Sequence, residues 1–117
     1  MPMQQDTGIW YADHRDPTVH RTPTVMIHGA GSSHLDWPAE LRRMAEANAI
    51  APDLPGHGKS SAPGHSALSA YAASVIALMD RLKVARAVLL GHSMGGAIAQ
   101  LIALNYPDRA AGLVLVA

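Results

Sequence analysis

Short apolar runs alternate along this chain with segments whose apolar residues recur at helical spacing. Four runs are typical of buried strands, and they cover residues 24–27, 49–53, 87–90 and 112–117. The clearest amphipathic helix spans residues 66–83, where apolar side chains recur every three or four positions and Ser66 is the expected N-cap. A second, more apolar helix is predicted from Met94 to Tyr106, and Pro107 ends it.

Two weaker elements complete the pattern. Residues 8–12 are rich in β-forming side chains and predict an edge strand. Residues 37–45 predict a helix with Pro38 in its first turn, for which Ser33 or Asp36 is the candidate cap. Strands that alternate with helices predict an α/β fold with a mostly parallel sheet and helices on both of its faces. We expect residues 1–117 to form a single domain.

Composition and charge exclude several classes of function. Nine Lys and Arg residues balance nine Asp and Glu residues, so we expect no nucleic-acid partner and no attraction to an anionic membrane. Cysteine is absent, and the seven histidines lack metal-ligand spacing, so no disulfide or metal site is predicted. No run of signal-peptide length lies in residues 1–16 and none is long enough to cross a bilayer, which predicts a cytoplasmic protein.

The densest chemical signal is the segment Gly91-His92-Ser93-Met94-Gly95, between a predicted strand and a predicted helix. It fits the G-x-S-x-G nucleophile elbow, in which a sharp turn exposes a serine hydroxyl at the carboxyl end of a sheet. Glycine is needed two positions either side of the serine because a side chain there would strike the neighbouring strand or helix. The alternative is an ordinary glycine-rich turn with no chemistry.

A second glycine-rich segment, His28-Gly29-Ala30-Gly31, follows the strand at residues 24–27. Such a segment exposes backbone N–H groups that can converge on an anion. A dinucleotide fingerprint is the competing interpretation, because Asp53 lies at a suitable distance to hold a ribose, but His34 occupies the position of the third glycine. A P-loop fails similarly, since Asp53 stands where its first glycine belongs. We expect Asp53 to bond nearby backbone N–H groups in the loop 54–61.

Three motifs in this order resemble the α/β-hydrolase superfamily, in its esterase, lactonase and C–C hydrolase group: residues 28–31, the segment Asp53-Leu54-Pro55-Gly56-His57-Gly58-Lys59-Ser60, and the elbow. The resemblance implies that Ser93 is a nucleophile that attacks a small-molecule carbonyl substrate, an ester, a lactone or a related compound, without metal or organic cofactor. It implies an oxyanion hole made by the backbone N–H groups of Met94 and Ala30, with Gly31 as the alternative second donor.

Other residues of these motifs take supporting roles by the same resemblance. Gly29, Gly31 and Trp37 are candidates for substrate contact, with helix packing as the alternative for Trp37. His28 is expected to hold the oxyanion loop by a hydrogen bond, with a purely structural role as the alternative. His92 is not expected to be the base, since its position on the turn directs it away from the Ser93 hydroxyl.

The chain departs from the family pattern after the serine. The family places an acid and then a histidine base downstream of the nucleophile. Residues 94–117 contain no histidine and only one acid, Asp108. We expect Asp108 to act as a cap or turn residue before the last strand. The sequence therefore resembles the amino-terminal portion of the fold, without the later strands, the lid or the triad partners. We expect residues 1–117 alone to be inactive; a non-catalytic module that self-associates through an unpaired sheet edge is the alternative.

Overall fold

A computed structural model describes residues 3–4 and 8–117 of the chain. Within these residues, six strands form one sheet: β1 (Met3–Gln4), β2 (Trp10–Asp13), β3 (Thr24–Ile27), β4 (Ala49–Pro52), β5 (Ala87–His92) and β6 (Ala110–Val116). Their spatial order is β1-β2-β4-β3-β5-β6. The strands β4, β3, β5 and β6 are parallel, whereas β2 pairs antiparallel with both β1 and β4. The predicted mostly parallel α/β sheet is confirmed.

Three helices connect the parallel strands: α1 (Ala39–Arg42), α2 (Leu68–Arg81) and α3 (Met94–Asn105). Two 3₁₀ turns, His34–Asp36 and Pro107–Arg109, precede α1 and β6 respectively. Asp108 lies in the second of these turns, which agrees with the turn role expected from the sequence. No helix in the described part of the chain is long and apolar enough to cross a membrane.

Side chains that alternate along the strands divide the core between the two faces of the sheet. Val25 and Ile27 point to one face, where they join Leu89 and the apolar stripes of α2 and α3 in the larger buried cluster. Met26 points to the other face, where it packs with Trp37 and with the partly buried Leu41 of α1. Helices therefore cover both faces, as predicted.

Three local predictions were wrong, each for a structural reason. Residues 10–13 are not an edge strand, because β1 pairs along their outer side. Ser66 does not cap α2: the helix begins at Leu68, so Ala67 takes the N-cap position and offers no side-chain hydrogen bond. The helix predicted over residues 37–45 is confined to Ala39–Arg42, because Trp37 precedes a proline and is extended, with φ −101° and ψ 123°.

The outer strand β6 exposes apolar side chains on both of its faces. Leu113, Val114, Leu115 and Val116 are each between 42% and 48% accessible. Its inner edge pairs with β5, and among the described residues no further strand pairs with its outer edge. The sheet thus presents an apolar strand edge of the kind that folded proteins usually cover.

Candidate active site

Ser93 occupies the turn between β5 and α3. Its backbone has φ 56° and ψ −117°, a left-handed conformation that costs a residue with a side chain about 1–3 kcal/mol. The serine is exposed to solvent at the carboxyl end of β5, and its own N–H donates to the carbonyl oxygen of Val116 at 3.1 Å. A strained, exposed serine at this point of a parallel sheet has the geometry of a nucleophile elbow.

The two glycines of the elbow are sterically required. An ideal Cβ on Gly91 would lie 2.6 Å from the carbonyl carbon of Gly95 and 2.7 Å from the Cα of Gly96. A Cβ on Gly95 would overlap the carbonyl oxygen of Ile27. Helix α3 can therefore begin directly over β5 and beside β3 only because both positions lack a side chain, as the sequence predicted.

Helix α3 aims its first N–H groups at the space above Ser93. The carbonyl oxygen of Ser93 accepts hydrogen bonds from Gly96 and Ala97, which starts the helix. Among the described residues, no carbonyl or side chain accepts the N–H of Met94. This N–H is thus one of the unsatisfied donors that a helix amino terminus offers to negative charge, and α3 has twelve residues to contribute its dipole.

The loop after β3 passes directly beside the elbow. An ideal Cβ on Gly29 would stand 3.3 Å from the carbonyl oxygen of His92 and 3.4 Å from the Cβ of Ser93. The next residue, Ala30, is exposed, and Gly31 has a positive φ of 73° with open space around it. No acceptor in the described chain takes the N–H of Ala30 or Gly31. The predicted oxyanion donors therefore lie on two adjacent loops.

His28 is fully buried and holds this loop to its neighbour. Its Nε2 accepts the N–H of Leu54 at 3.0 Å, so its Nδ1 carries the proton and donates to the carbonyl oxygen of Gly29 at 2.7 Å. Burial lowers the pKa of His28 below its ordinary value, which keeps the ring neutral. The hydrogen bond that the sequence suggested for His28 is present.

His92 turns toward Asp36 rather than toward the serine. Its Nδ1 lies 2.8 Å from Oδ2 of Asp36, and its ring meets the indole of Trp37 edge-on at 6.3 Å. No histidine among the described residues forms a hydrogen bond with Ser93. The part of the chain that the structure describes supplies no base for the nucleophile.

Trp37 is only 5% accessible and packs between Met26 and small side chains of β4. Its Nε1 has no hydrogen-bond acceptor among the described residues. The packing role that we considered for this residue is therefore present, and contact with substrate stays a prediction.

Asp53 ties two loops together from a fully buried position. One carboxylate oxygen accepts the backbone N–H of His34 at 2.6 Å and lies 2.8 Å from its Nδ1, and the other accepts the N–H of Lys59 at 2.8 Å. Gly58 passes so close to this carboxylate that a Cβ there would overlap it. The expectation that Asp53 bonds backbone N–H groups in its own loop is met, and the bond to His34 adds a second loop.

Two other kinds of site, one for a metal and one for a dinucleotide, are not formed by the described residues. Residues 8–117 contain no cluster of three or more His, Asp and Glu side chains suited to a metal ion. The segment 28–36 does not open a long helix, since α1 is only four residues, so the pyrophosphate site of a dinucleotide fold is not formed.

The sequence did not reveal the role of Asp36, which was considered only as a helix cap. Its Oδ2 accepts the N–H of Gly29 at 3.1 Å as well as facing His92. Ser33 is the actual cap of the 3₁₀ turn, since its hydroxyl accepts the N–H of Leu35. The one signal for Asp36 was an acid seven residues beyond Gly29, which is too common a feature to be specific.

Comparisons with known proteins identify the fold family of the chain. A family model described as alpha/beta hydrolase fold matches residues 22–117. The dihydrolipoyllysine-residue acetyltransferase component of an acetoin cleaving system from Pseudomonas putida is 43% identical over 98 residues, covering 82% of this chain and 26% of its own. The chain thus spans about a quarter of the length of this curated relative.

Solved structures share the same arrangement of strands. A hydrolase from Pseudomonas aeruginosa PA01 superposes with a TM-score of 0.84 at 29% identity, over 98% of this chain and 44% of that one. Est816, described as an N-acyl homoserine lactone degrading enzyme, superposes with a TM-score of 0.81 at 32% identity, over 92% of this chain and 41% of its own. With the family model matching most of its residues, the chain belongs to the α/β-hydrolase fold family.

Proposed function

We propose that Ser93 is the nucleophile of a hydrolase that cleaves an ester, a lactone or a related carbonyl compound. The observation that carries this proposal is the strained and exposed backbone of Ser93, with free N–H groups on the two loops beside it. Glycine adopts a positive φ without strain, whereas serine is strained there. A serine at this position therefore indicates a function for its side chain beyond forming the turn.

In the proposed reaction, the Ser93 hydroxyl oxygen attacks the carbonyl carbon as a base removes its proton. The carbonyl electrons move to the oxygen, and the N–H groups of Met94 and Ala30 stabilise the oxyanion, each by about 3–4 kcal/mol in the transition state. Collapse of this intermediate breaks the bond to the alcohol oxygen, which takes the proton from the base, and leaves an acyl-enzyme; the alcohol departs from an ester and stays attached to the acyl chain of an opened lactone. Water then releases the acid and regenerates the serine.

The substrate class rests on the relatives. Est816 is described as an N-acyl homoserine lactone degrading enzyme, and the lactone ring of such a compound contains a cyclic ester. A serine hydroxyl with two oxyanion donors suits such a bond.

The base is expected from a histidine that follows the serine in the chain, as in the family. Residues 94–117 contain none. We therefore propose that a polypeptide of residues 1–117 retains at most the residual catalysis of a triad enzyme that lacks its base.

The test is the intact mass of the natively expressed protein after exposure to a fluorophosphonate, which labels activated serines. We expect a single adduct that Ser93→Ala abolishes. Ser69→Ala is the matched control, because Ser69 is exposed on α2, far along the chain from the elbow, and it should keep the adduct. An adduct that survives Ser93→Ala, or no adduct on a wild-type product whose mass exceeds that of residues 1–117, would contradict the proposal. An unlabelled product with the mass of residues 1–117 is the outcome expected of a chain that lacks the base.

Self-association is a second candidate function, which the exposed strand β6 favours. Four consecutive apolar residues at the sheet edge offer both unpaired backbone groups and apolar surface to another copy of the chain. Sedimentation of the 117-residue chain should then show a weight-average mass that rises with concentration. A monomer at all concentrations would exclude this candidate.

A further inference from the structure

Asp36 contacts both loops of the candidate site with a single oxygen atom. Its Oδ2 accepts the N–H of Gly29 at 3.1 Å and lies 2.8 Å from Nδ1 of His92. The side chain is 21% accessible, so it is mostly shielded from water. It closes the 3₁₀ turn His34–Asp36 and points back over the end of the sheet.

These two contacts join residues that adjoin the proposed oxyanion donors. Gly29 directly precedes Ala30, and His92 lies two residues before Met94. The strands that carry the loops are paired only as far as Ile27 and Gly91. Beyond that point, the Asp36 carboxylate bridges the loop after β3 and the elbow after β5 by hydrogen bonds.

The chemistry of the three groups fits one arrangement. A carboxylate oxygen accepts only, so Nδ1 of His92 carries the proton that it donates to Asp36. Burial raises the pKa of Asp36, but the hydrogen bonds from Gly29, His92 and Ser32 outweigh it and hold the pKa below its ordinary value. The carboxylate is therefore ionised at neutral pH and accepts bonds from both loops at once.

The same bond fixes the direction of the His92 ring. With Nδ1 held by Asp36 and one edge against Trp37, the imidazole is kept beside the elbow rather than over the serine. The space above the Ser93 hydroxyl is thus left to a substrate.

We propose that Asp36 is a positioning residue that sets the spacing between the N–H groups of Ala30 and Met94, by holding Gly29 and His92 on one carboxylate oxygen. This inference rests on the proposed function, because it takes those two N–H groups as the oxyanion hole. It assigns to Asp36 a role that acts through the two loops and involves no contact with substrate.

Three variants of the natively expressed protein separate this role from a general structural one. Asp36→Ala removes both hydrogen bonds. Asp36→Asn keeps one side-chain oxygen in the same place, so it restores the geometry without the charge. Glu40→Gln is the matched control, because Glu40 is an exposed acid four residues further on.

Two readouts are measured on each variant. The first is hydrogen exchange of the Gly29 amide, together with the ¹⁵N shift of the His92 Nδ1. In Asp36→Ala we expect exchange of the Gly29 amide to accelerate at least about tenfold and the signal of the protonated His92 Nδ1 to be lost. In Asp36→Asn and Glu40→Gln both observables should stay near their wild-type values. The second is the rate constant for fluorophosphonate labelling of Ser93. We expect this rate constant to fall about tenfold to a hundredfold in Asp36→Ala and to stay within about threefold of the wild-type value in Asp36→Asn.

The outcomes distinguish this inference from the proposed function. Unchanged Gly29 exchange in Asp36→Ala, or labelling as fast as in Glu40→Gln, would overturn the positioning role while Ser93 remains the nucleophile. Absence of labelling in a wild-type product longer than residues 1–117 would overturn the proposed function, and the exchange and nitrogen measurements would then decide alone whether Asp36 ties the loops. If Asp36→Ala does not fold, His92→Ala takes its place, because it removes the bond that reaches Asp36 from the elbow. Labelling of Ser93 should again slow, whereas the Gly29 amide keeps its acceptor and should exchange as in the wild-type protein; labelling at the wild-type rate would overturn the positioning role.

Discussion

Gly95 packs against the carbonyl oxygen of Ile27 so closely that a Cβ on Gly95 would overlap that oxygen, and it would stand 2.6 Å from the carbonyl oxygen of His28. Both of these atoms belong to backbone at the end of a central strand, which cannot move without disturbing the sheet. We therefore expect Gly95→Ala to reduce the free energy of unfolding by about 1–3 kcal/mol or more, measured by urea denaturation.

The neighbouring glycine provides the matched control for that prediction. A Cβ on Gly96 would meet its nearest neighbours at 3.5 and 3.6 Å, which is ordinary van der Waals contact. Because alanine also favours a helix by about 1 kcal/mol over glycine, Gly96→Ala should be neutral or stabilising. Equal effects of the two substitutions would show that α3 does not pack against β3 as described.

Asp53 is expected to be the most stability-critical acid of the described chain. It is fully buried and accepts hydrogen bonds from two loops, so Asp53→Ala leaves the N–H groups of His34 and Lys59 without their acceptor. We expect a loss of about 3–5 kcal/mol in the free energy of unfolding. Asp108→Ala, at an exposed acid in a 3₁₀ turn, should change it by less than about 0.5 kcal/mol. A loss at Asp53 as small as that at Asp108 would contradict the buried network.

The buried His28 predicts a loss of stability in mild acid. Burial lowers its pKa in the folded protein, whereas in the unfolded chain it titrates near 6.5, so below pH 6.5 the unfolded state binds the extra proton. The free energy of unfolding should therefore be fully retained above pH 6.5 and fall as the pH drops below it, by at most about 1.4 kcal/mol per pH unit for this group.

Chemical denaturation between pH 7.5 and 5.5 measures that slope. His28→Gln should flatten it, and His20→Gln, at an exposed loop histidine, should leave it as in the wild-type protein. His14 also has a pKa lowered chiefly by burial, so part of the slope should remain in His28→Gln. A slope that does not change with His28→Gln would mean that this ring is not held neutral by the fold.

The edge strand β6 gives a prediction about association. Val114 is 48% accessible in the middle of this strand, and a lysine there would place a charge where a second copy of the chain would pair. We expect Val114→Lys to weaken self-association of the 117-residue chain at least about tenfold in sedimentation equilibrium. Val19→Lys, at a loop position that is 41% accessible, should have no such effect. Undiminished association of Val114→Lys would place the contact elsewhere.

The elbow could be predicted from sequence because its requirements are local. A turn that brings a helix back over a strand leaves no room at Gly91 and Gly95, and the residue types at five consecutive positions record this. Helix α2 was predictable for a similar reason, since its stripe repeats over four turns. Its starting residue was not, because the choice between Ser66 and Ala67 as N-cap depends on how the preceding loop runs.

The partners of Asp36 and Asp53 could not be predicted in the same way. Asp36 meets His92 across 56 positions of sequence, and Asp53 meets His34 across 19. Each was interpreted through its nearest neighbours, as a cap for Asp36 and as a turn residue for Asp53. For Asp53 the local interpretation predicted one of the observed bonds, because Lys59 lies in the loop that follows Asp53. For Asp36 it predicted neither the bond to Gly29 nor the bond to His92.

The sequence by itself determined the alternation of strands and helices, the position of the sharp turn at Ser93, and the family to which the chain belongs, because each depends on sterics or periodicity within a few consecutive residues. The tertiary structure alone decided which loops meet. Strand β3 lies between β4 and β5, so the ends of these three strands bring the segments after Ile27, Pro52 and His92 together. Hydrogen bonds between those segments follow from the order of the strands in space, which no local sequence pattern determines.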